Sequence, residues 1–161
     1  MSYIDPVMGY SLEYLSELAV KNILERGTEF PVHLSGDAEP LERPCVQVTV
    51  TGVQEVIAPG SGVFLHELQV VLSHSASEEP DEAQTSGLQE QLAQDWATLR
   101  AAMFGDSVEP MRDLAERLTD AVPLPYRVLG VTCPPELPTA VDPATHTFSR
   151  GLVLQLRVTA G

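Results

Sequence analysis

The feature that most constrains the fold is the run from Thr147 to Thr159, where a large apolar residue stands at every second position over most of its length. Successive side chains of a β-strand point to opposite faces of the sheet, so this spacing is typical of a strand with one face in the core. Such a strand needs neighbouring strands and a cover for its apolar face. The residues that predict the inner face are Leu152, Leu154, Leu156 and Val158.

Other alternating runs can supply those neighbours. Cys45–Val53 carries valine at positions 46, 48 and 50, and Val63–Ser73 carries apolar residues and one histidine on one face. The Gly-rich segment 58–62 between these two runs favours an antiparallel hairpin. Tyr126–Cys133 predicts a further strand, and Glu29–Leu34 predicts a short extended segment.

Three segments have the three- and four-residue apolar spacing of amphipathic helices. The first is Ser11–Arg26, capped by the hydroxyl of its first residue and stopped by Gly27 in a left-handed conformation. The second spans about 81–104, and Gly87 within it favours a stable start only after that glycine. The third spans about 109–121 and ends before a pair of prolines.

This order of elements predicts an α+β fold, with a mostly antiparallel sheet of about four to five strands and two to three helices packed on one face. We expect a single domain over 1–161, with a short N-terminal arm at 1–9. Exposed loops are predicted at about 35–44, 58–62 and 134–146, where proline, glycine and polar residues concentrate. We expect the segments 35–44, 58–62 and 134–143 to act as inter-subunit arms that become ordered on contact.

The charge balance excludes several classes of function. The 161 residues include 23 acidic and 9 basic side chains, which give a net charge of −14. A duplex-DNA binder gains affinity from Lys and Arg on phosphates, and so few basic residues do not form a basic face. A hydrophobic content of 43% is too high for a disordered acidic tail. Without a membrane-span run or a signal-peptide pattern, we expect a soluble protein with no membrane contact.

The residues that could carry chemistry lack the spacing that chemistry requires. His66-Glu67 begins like a zinc-protease motif, but the second histidine of that motif is missing. His74 lies too far along the same predicted strand to share a metal with His66. Cys45 and Cys133 lie in strand-like runs, which predicts buried thiols. We therefore predict no catalytic, cofactor-binding or metal site.

The acidic excess is unevenly distributed along the chain. Between Arg43 and Arg100 there are eight acidic residues and no basic one, a local net charge of −8. Chance and solubility account for this as well as a function does. Alternatively, an acidic face of one subunit meets a basic face of the next, a head-to-tail contact that can close into a ring. The candidate acidic patch, at an interface or in a lumen, is Glu78, Glu79, Asp81 and Glu82, and the complementary basic residues are Arg43, Arg127, Arg150 and Arg157.

The order and size of the predicted elements resemble a known family. The N-terminal helix is followed by Phe30–Leu34, by Pro44–Val48, by the rest of the hairpin and by a long helix around Trp96. Tyr126–Val131 and the closing strand Gly151–Thr159 complete the chain. This arrangement is similar, over most of the chain, to the tail terminator or tail-completion proteins of long-tailed bacteriophages.

The resemblance implies a structural role and no enzymatic activity. Such proteins are small acidic α+β subunits that form a ring, usually a hexamer, on the tail tube and join it to the head connector or stopper protein. The implied location is the tail or neck of a virion, after synthesis in the host cytoplasm. DNA is then expected to pass through without specific binding, because an acidic lumen repels phosphate. The alternatives are another neck adaptor or stopper protein, and a small non-phage binding domain.

Overall fold

A computed structural model describes residues 11–35, 44–76, 81–105, 107–123, 125–136 and 138–160. Within these ranges the chain forms three helices and six strands, which confirms the predicted α+β class. The elements in chain order are α1 (Leu12–Gly27), β1 (Val32–Leu34), β2 (Cys45–Glu55), β3 (Phe64–Ser75), α2 (Glu82–Phe104), α3 (Pro110–Asp120), β4 (Arg127–Thr132), β5 (Ala140–Asp142) and β6 (Thr147–Thr159).

The strands form one sheet in the order β1-β2-β3-β6-β4, and β5 pairs with the beginning of β6. β1 and β2 are parallel, and every other pair in the described residues is antiparallel. The strand count exceeds the prediction because β5 lies inside the predicted loop 134–146. Three residues are too few to show an alternating pattern, and proline flanks them at 138 and 143. The segment is therefore not loop throughout.

The face of the sheet predicted to be apolar is the face that the helices cover. Leu68 and Val70 on β3, and Leu152 and Leu154 on β6, each have an exposed fraction of 0%. They belong to one hydrophobic cluster with the apolar side chains of α1, α2 and α3. The period of two in the sequence thus identified the inner face correctly for both central strands.

The bounds of α2 agree with the predicted range of about 81–104, but the expected start of its stable part after Gly87 is wrong. Gly87 lies within α2, which begins at Glu82, because Asp81 and Gln84 form a capping box that satisfies the first backbone N–H groups. At the other end of α2, Arg117 of α3 donates hydrogen bonds to the last carbonyl groups, those of Ala102 and Met103.

None of the described helices combines the length and the apolar character needed to cross a membrane.

Gly27 ends α1 for a different reason from the one predicted. It is the last helical residue, its φ is not positive, and Thr28 in an extended conformation caps the helix by donating to the Leu24 carbonyl. A Cβ atom at position 27 would lie 2.7 Å from the Cβ of Ala102 on α2. Glycine is therefore needed because α1 and α2 cross closely at this point.

We expect Gly27→Ala to lower the free energy of unfolding by about 1–2 kcal/mol, because overpacking outweighs the better helix propensity of alanine. Urea unfolding measures this value. The matched change is Ala102→Gly, which opens the contact from the other side. In a double-mutant cycle the second substitution should recover most of the loss. A stabilising effect of Gly27→Ala alone would show that the crossing is loose.

Candidate interaction surfaces

Ser16 on α1 is the centre of a hydrogen-bonded network in the core. Its Oγ lies 2.8 Å from Nδ1 of His66 and 2.9 Å from the hydroxyl of Tyr126. The exposed fractions of the three residues are 0%, 1% and 4%. A serine and a histidine at this distance can act as nucleophile and base. Because both are buried, the pair is closed to a substrate and instead holds α1 against the sheet.

Burial keeps this network neutral. It lowers the pKa of His66 from 6.5 to about 4. It also raises the pKa of the Tyr126 hydroxyl well above its usual value, against a smaller opposing effect of the hydrogen bond with Ser16. Both groups are thus uncharged at pH 7, which avoids the cost of a charge in the core.

Glu17 is a buried carboxylate that ties α1 to two other segments. Its exposed fraction is 5%. Its oxygens accept hydrogen bonds from the hydroxyl of Ser35 at 2.8 and 2.9 Å and from the backbone N–H of Val50 at 3.0 Å. Val50 lies where the register of β2 against β3 shifts. Glu17 therefore fixes both the segment after β1 and the irregular part of β2.

Glu136 holds the Pro-rich segment after β4 against the helices and the sheet. Its carboxylate lies 2.6 Å from Arg100 Nε and 3.3 Å from Arg150, and it accepts a hydrogen bond from the indole of Trp96 at 3.2 Å. The guanidinium of Arg150 also stacks over the Trp96 ring, 5.5 Å from its centre. The beginning of the predicted loop 134–146 is thus anchored within the subunit.

The two cysteines differ in their burial. Cys45 is buried as predicted, but Cys133 is only half-buried, because it lies just beyond the end of β4. Partial burial raises the pKa of the Cys133 thiol, the Glu136 carboxylate raises it further, and Arg100 opposes them. A raised pKa favours the protonated form of the thiol, which is less reactive than the thiolate.

The β2–β3 turn is fixed by its own chain and presents an apolar side chain. The Glu55 carboxylate accepts from the backbone N–H groups of Gly60 and Gly62 at 2.9 and 3.2 Å. Ile57 has an exposed fraction of 82% and a φ of 74°, a conformation that costs energy for a β-branched residue. That the segments 35–44, 58–62 and 134–143 are inter-subunit arms stays a prediction.

Two grooves lie near the two edges of the sheet, one beside β2 and one beside the outer strand β4. The first, of about 670 Å³ and here called the β2 groove, lies between α1 and β2. The second, of about 600 Å³ and here called the β4 groove, lies between α3 and β4. Each has one large exposed apolar side chain, Tyr14 at 40% in the β2 groove and Leu129 at 46% in the β4 groove.

The predicted acidic patch lies partly outside the described residues. Glu78 and Glu79 fall in that category. Asp81 is the N-cap of α2 and Glu82 is its first residue, and both are exposed. Acidic residues at this position also stabilise the positive end of the helix, so Asp81 and Glu82 have a local role.

The predicted basic residues do not form one cluster with a common environment. Arg43 lies outside the described residues, and Arg150 is engaged by Glu136 and Trp96 of its own chain. Arg127 on β4 and Arg157 on β6 are exposed, and neither forms an ion pair with a described carboxylate. Arg127 lines the β4 groove.

The histidines have no metal partners among the described residues, where no cluster of metal-ligating side chains occurs. His74 Nε2 instead lies 2.8 Å from Asp95 of α2, an arrangement that links the helix to β3.

Helical spacing could not have revealed Glu17, which borders the buried stripe of α1. A signal for His66 existed, since it occupies an inner-face position of its strand.

Within the described residues, these features define an α+β protein with an open sheet and a groove near each of its two edges. Neither the protein-family models nor the curated proteins give a match. A chain from the virion of a native gene transfer agent particle has a similar structure, with a TM-score of 0.50 and 15% sequence identity. The likeness covers 89% of this chain and 93% of that chain, so the fold is shared over nearly the whole length of both.

Proposed function

We propose that this protein is a structural, non-enzymatic subunit of a phage-like virion. Within that class we propose a tail terminator, which forms a ring on the tail tube and joins it to the head connector. The observation that carries the proposal is the shared fold with a chain of a gene transfer agent virion, which covers almost all of both chains.

The charges of the subunit are consistent with a ring that DNA passes through. Most described basic side chains already pair with carboxylates of the same chain, so few remain to bind phosphate. The pairs are Lys21–Glu25, Arg100–Glu136, Arg112–Glu109, Arg112–Glu116, Arg117–Asp113 and Arg150–Glu136. With a net charge of −14, the subunit is repelled by DNA rather than attracted to it.

Native mass spectrometry together with negative-stain imaging tests the proposal. We expect closed rings of about six subunits, alone or on purified tail tubes of the same particle. Binding to the connector without binding to the tube would indicate an adaptor or stopper instead. A compact monomer that binds neither would overturn the structural role.

Charge reversal tests the acidic segment. We expect the triple variant Glu78→Lys, Glu79→Lys and Glu82→Lys to impair assembly, because it removes the repulsion of DNA or the attraction to a neighbouring subunit. Asp81 is left unchanged because it caps α2. The matched control reverses Glu25, Glu29 and Asp142, which are exposed and lie outside the segment. Equal assembly of the two variants, measured as the yield of particles, would remove a role for the patch.

A further inference from the structure

We propose that the subunits of the ring join by extending the sheet, with the outer edge of β4 in one subunit added to the outer edge of β2 in the next. This inference rests on the proposed ring. It assigns the contact to two defined surfaces, the β2 groove and the β4 groove, and the occupant of each groove is a second copy of this chain.

The edge of β2 is only partly covered. β1 pairs with Val46–Val48, and no other described strand pairs with the following residues, Thr49–Glu55, on that side. One backbone group of this stretch, the N–H of Val50, is satisfied by Glu17. A strand edge with unpaired N–H and C=O groups is a template for a strand of another chain.

The edge of β4 is open in the same way. β4 pairs with β6, and no described strand lies on its other side. At its beginning the N–H of Val128 donates to the hydroxyl of Thr119 on α3, at 3.0 Å. Beyond that point the edge faces the β4 groove, where Leu129 and the half-buried Met111 provide apolar surface.

The two edges are complementary in position and similar in length, and each groove is lined by charges of both signs. They lie at opposite ends of one sheet, so each subunit can use both at once, and the contact is a head-to-tail one that can close into a ring. The part of β2 that no described strand covers on this side, 49–55, is similar in length to β4. Arg127 lines the β4 groove and Glu13 lines the β2 groove, and neither forms an ion pair with another described residue.

Exchange of these two charges tests the contact. Arg127→Glu or Glu13→Arg alone places like charges together at every boundary and should weaken ring formation by about tenfold or more, measured as the subunit concentration at half assembly. The double exchange, Arg127→Glu with Glu13→Arg, should restore assembly to near the wild-type level. Arg26→Glu is the matched control, because Arg26 is exposed and lines neither groove.

Leu129→Glu provides a second variant that does not depend on the charge pair. Leu129 is half exposed, so the subunit should fold and melt normally, while assembly is lost. If the wild type forms rings and all of these variants form them equally well, the contact assigned to the two edges is wrong, while the proposed ring is still supported. If the wild type forms no ring under any condition, with or without tail tubes, both the ring and this inference are overturned.

Discussion

Replacement of Trp96 by alanine is expected to lower the free energy of unfolding by about 4 kcal/mol, within the range for buried Trp and Phe truncations. Trp96 has an exposed fraction of 2%, lies in the hydrophobic cluster and donates to Glu136. The substitution therefore leaves a cavity and also removes one of the contacts that hold the segment after β4. Urea unfolding monitored by circular dichroism measures the loss.

Trp96→Phe separates the two effects. The phenyl ring keeps most of the apolar volume but cannot donate to Glu136, so we expect a loss of about 2 kcal/mol. Release of the segment is read from the labelling of Cys133 by a thiol reagent under native conditions, with the buried Cys45 as the internal control. If Trp96→Ala costs no more than Trp96→Phe and Cys133 stays equally protected, the role assigned to Trp96 is incorrect.

Acidification is expected to destabilise the fold through His66. Its pKa is about 4 in the folded protein and 6.5 in the unfolded chain, so between these values the unfolded chain binds more protons. The contribution of His66 to stability is therefore complete above pH 6.5 and is lost as the pH falls to about 4. A difference of this size corresponds to about 3 kcal/mol.

His66→Gln is the variant that isolates this effect. A glutamine amide can still form a hydrogen bond with Ser16, but it does not titrate. Denaturant unfolding at pH 7 and pH 4 should show the wild type losing about 3 kcal/mol more than the variant. Every other side chain is the same in both proteins, so the remaining effects of pH cancel in the comparison. Parallel stability profiles for the two proteins would refute the role of His66.

The sheet could be predicted from the sequence because its signal is local. The bounds of β6 agree with the predicted run at both ends, and the inner faces of β3 and β6 follow the period of two. The antiparallel pairing of β2 and β3 confirms the predicted hairpin. The glycines at 60 and 62 adopt positive φ in the turn between the two strands. Each of these features depends on neighbouring residues alone.

The features that were missed depend on segments far apart in the chain. Glu17 looks like a surface residue near a helix N-terminus, but its partners are 18 and 33 residues away. Gly27 looks like a helix stop, but the reason for the glycine is Ala102 on another helix. Helical spacing carries no information about such contacts.

The two grooves could not be predicted for the same reason. The β2 groove joins a helix near the beginning of the chain to a strand that begins at Cys45, and the β4 groove joins α3 to the outer strand. The exposure of Tyr14 and Leu129 also depends on which neighbours the sheet order gives them. The sequence suggested that subunits meet through an acidic face and a basic face. The fold instead favours a contact between subunits at the two edges of the sheet.

The anchoring of the segment after β4 has a consequence for how the chain tolerates change in length. Glu136 fixes one end of the segment through Trp96 and two arginines, and β5 fixes the other end on β6. Pro138 and Thr139 between these two points are exposed. Extra residues inserted there, such as an epitope tag for imaging, would extend outward from two fixed ends and leave the register of the sheet unaltered.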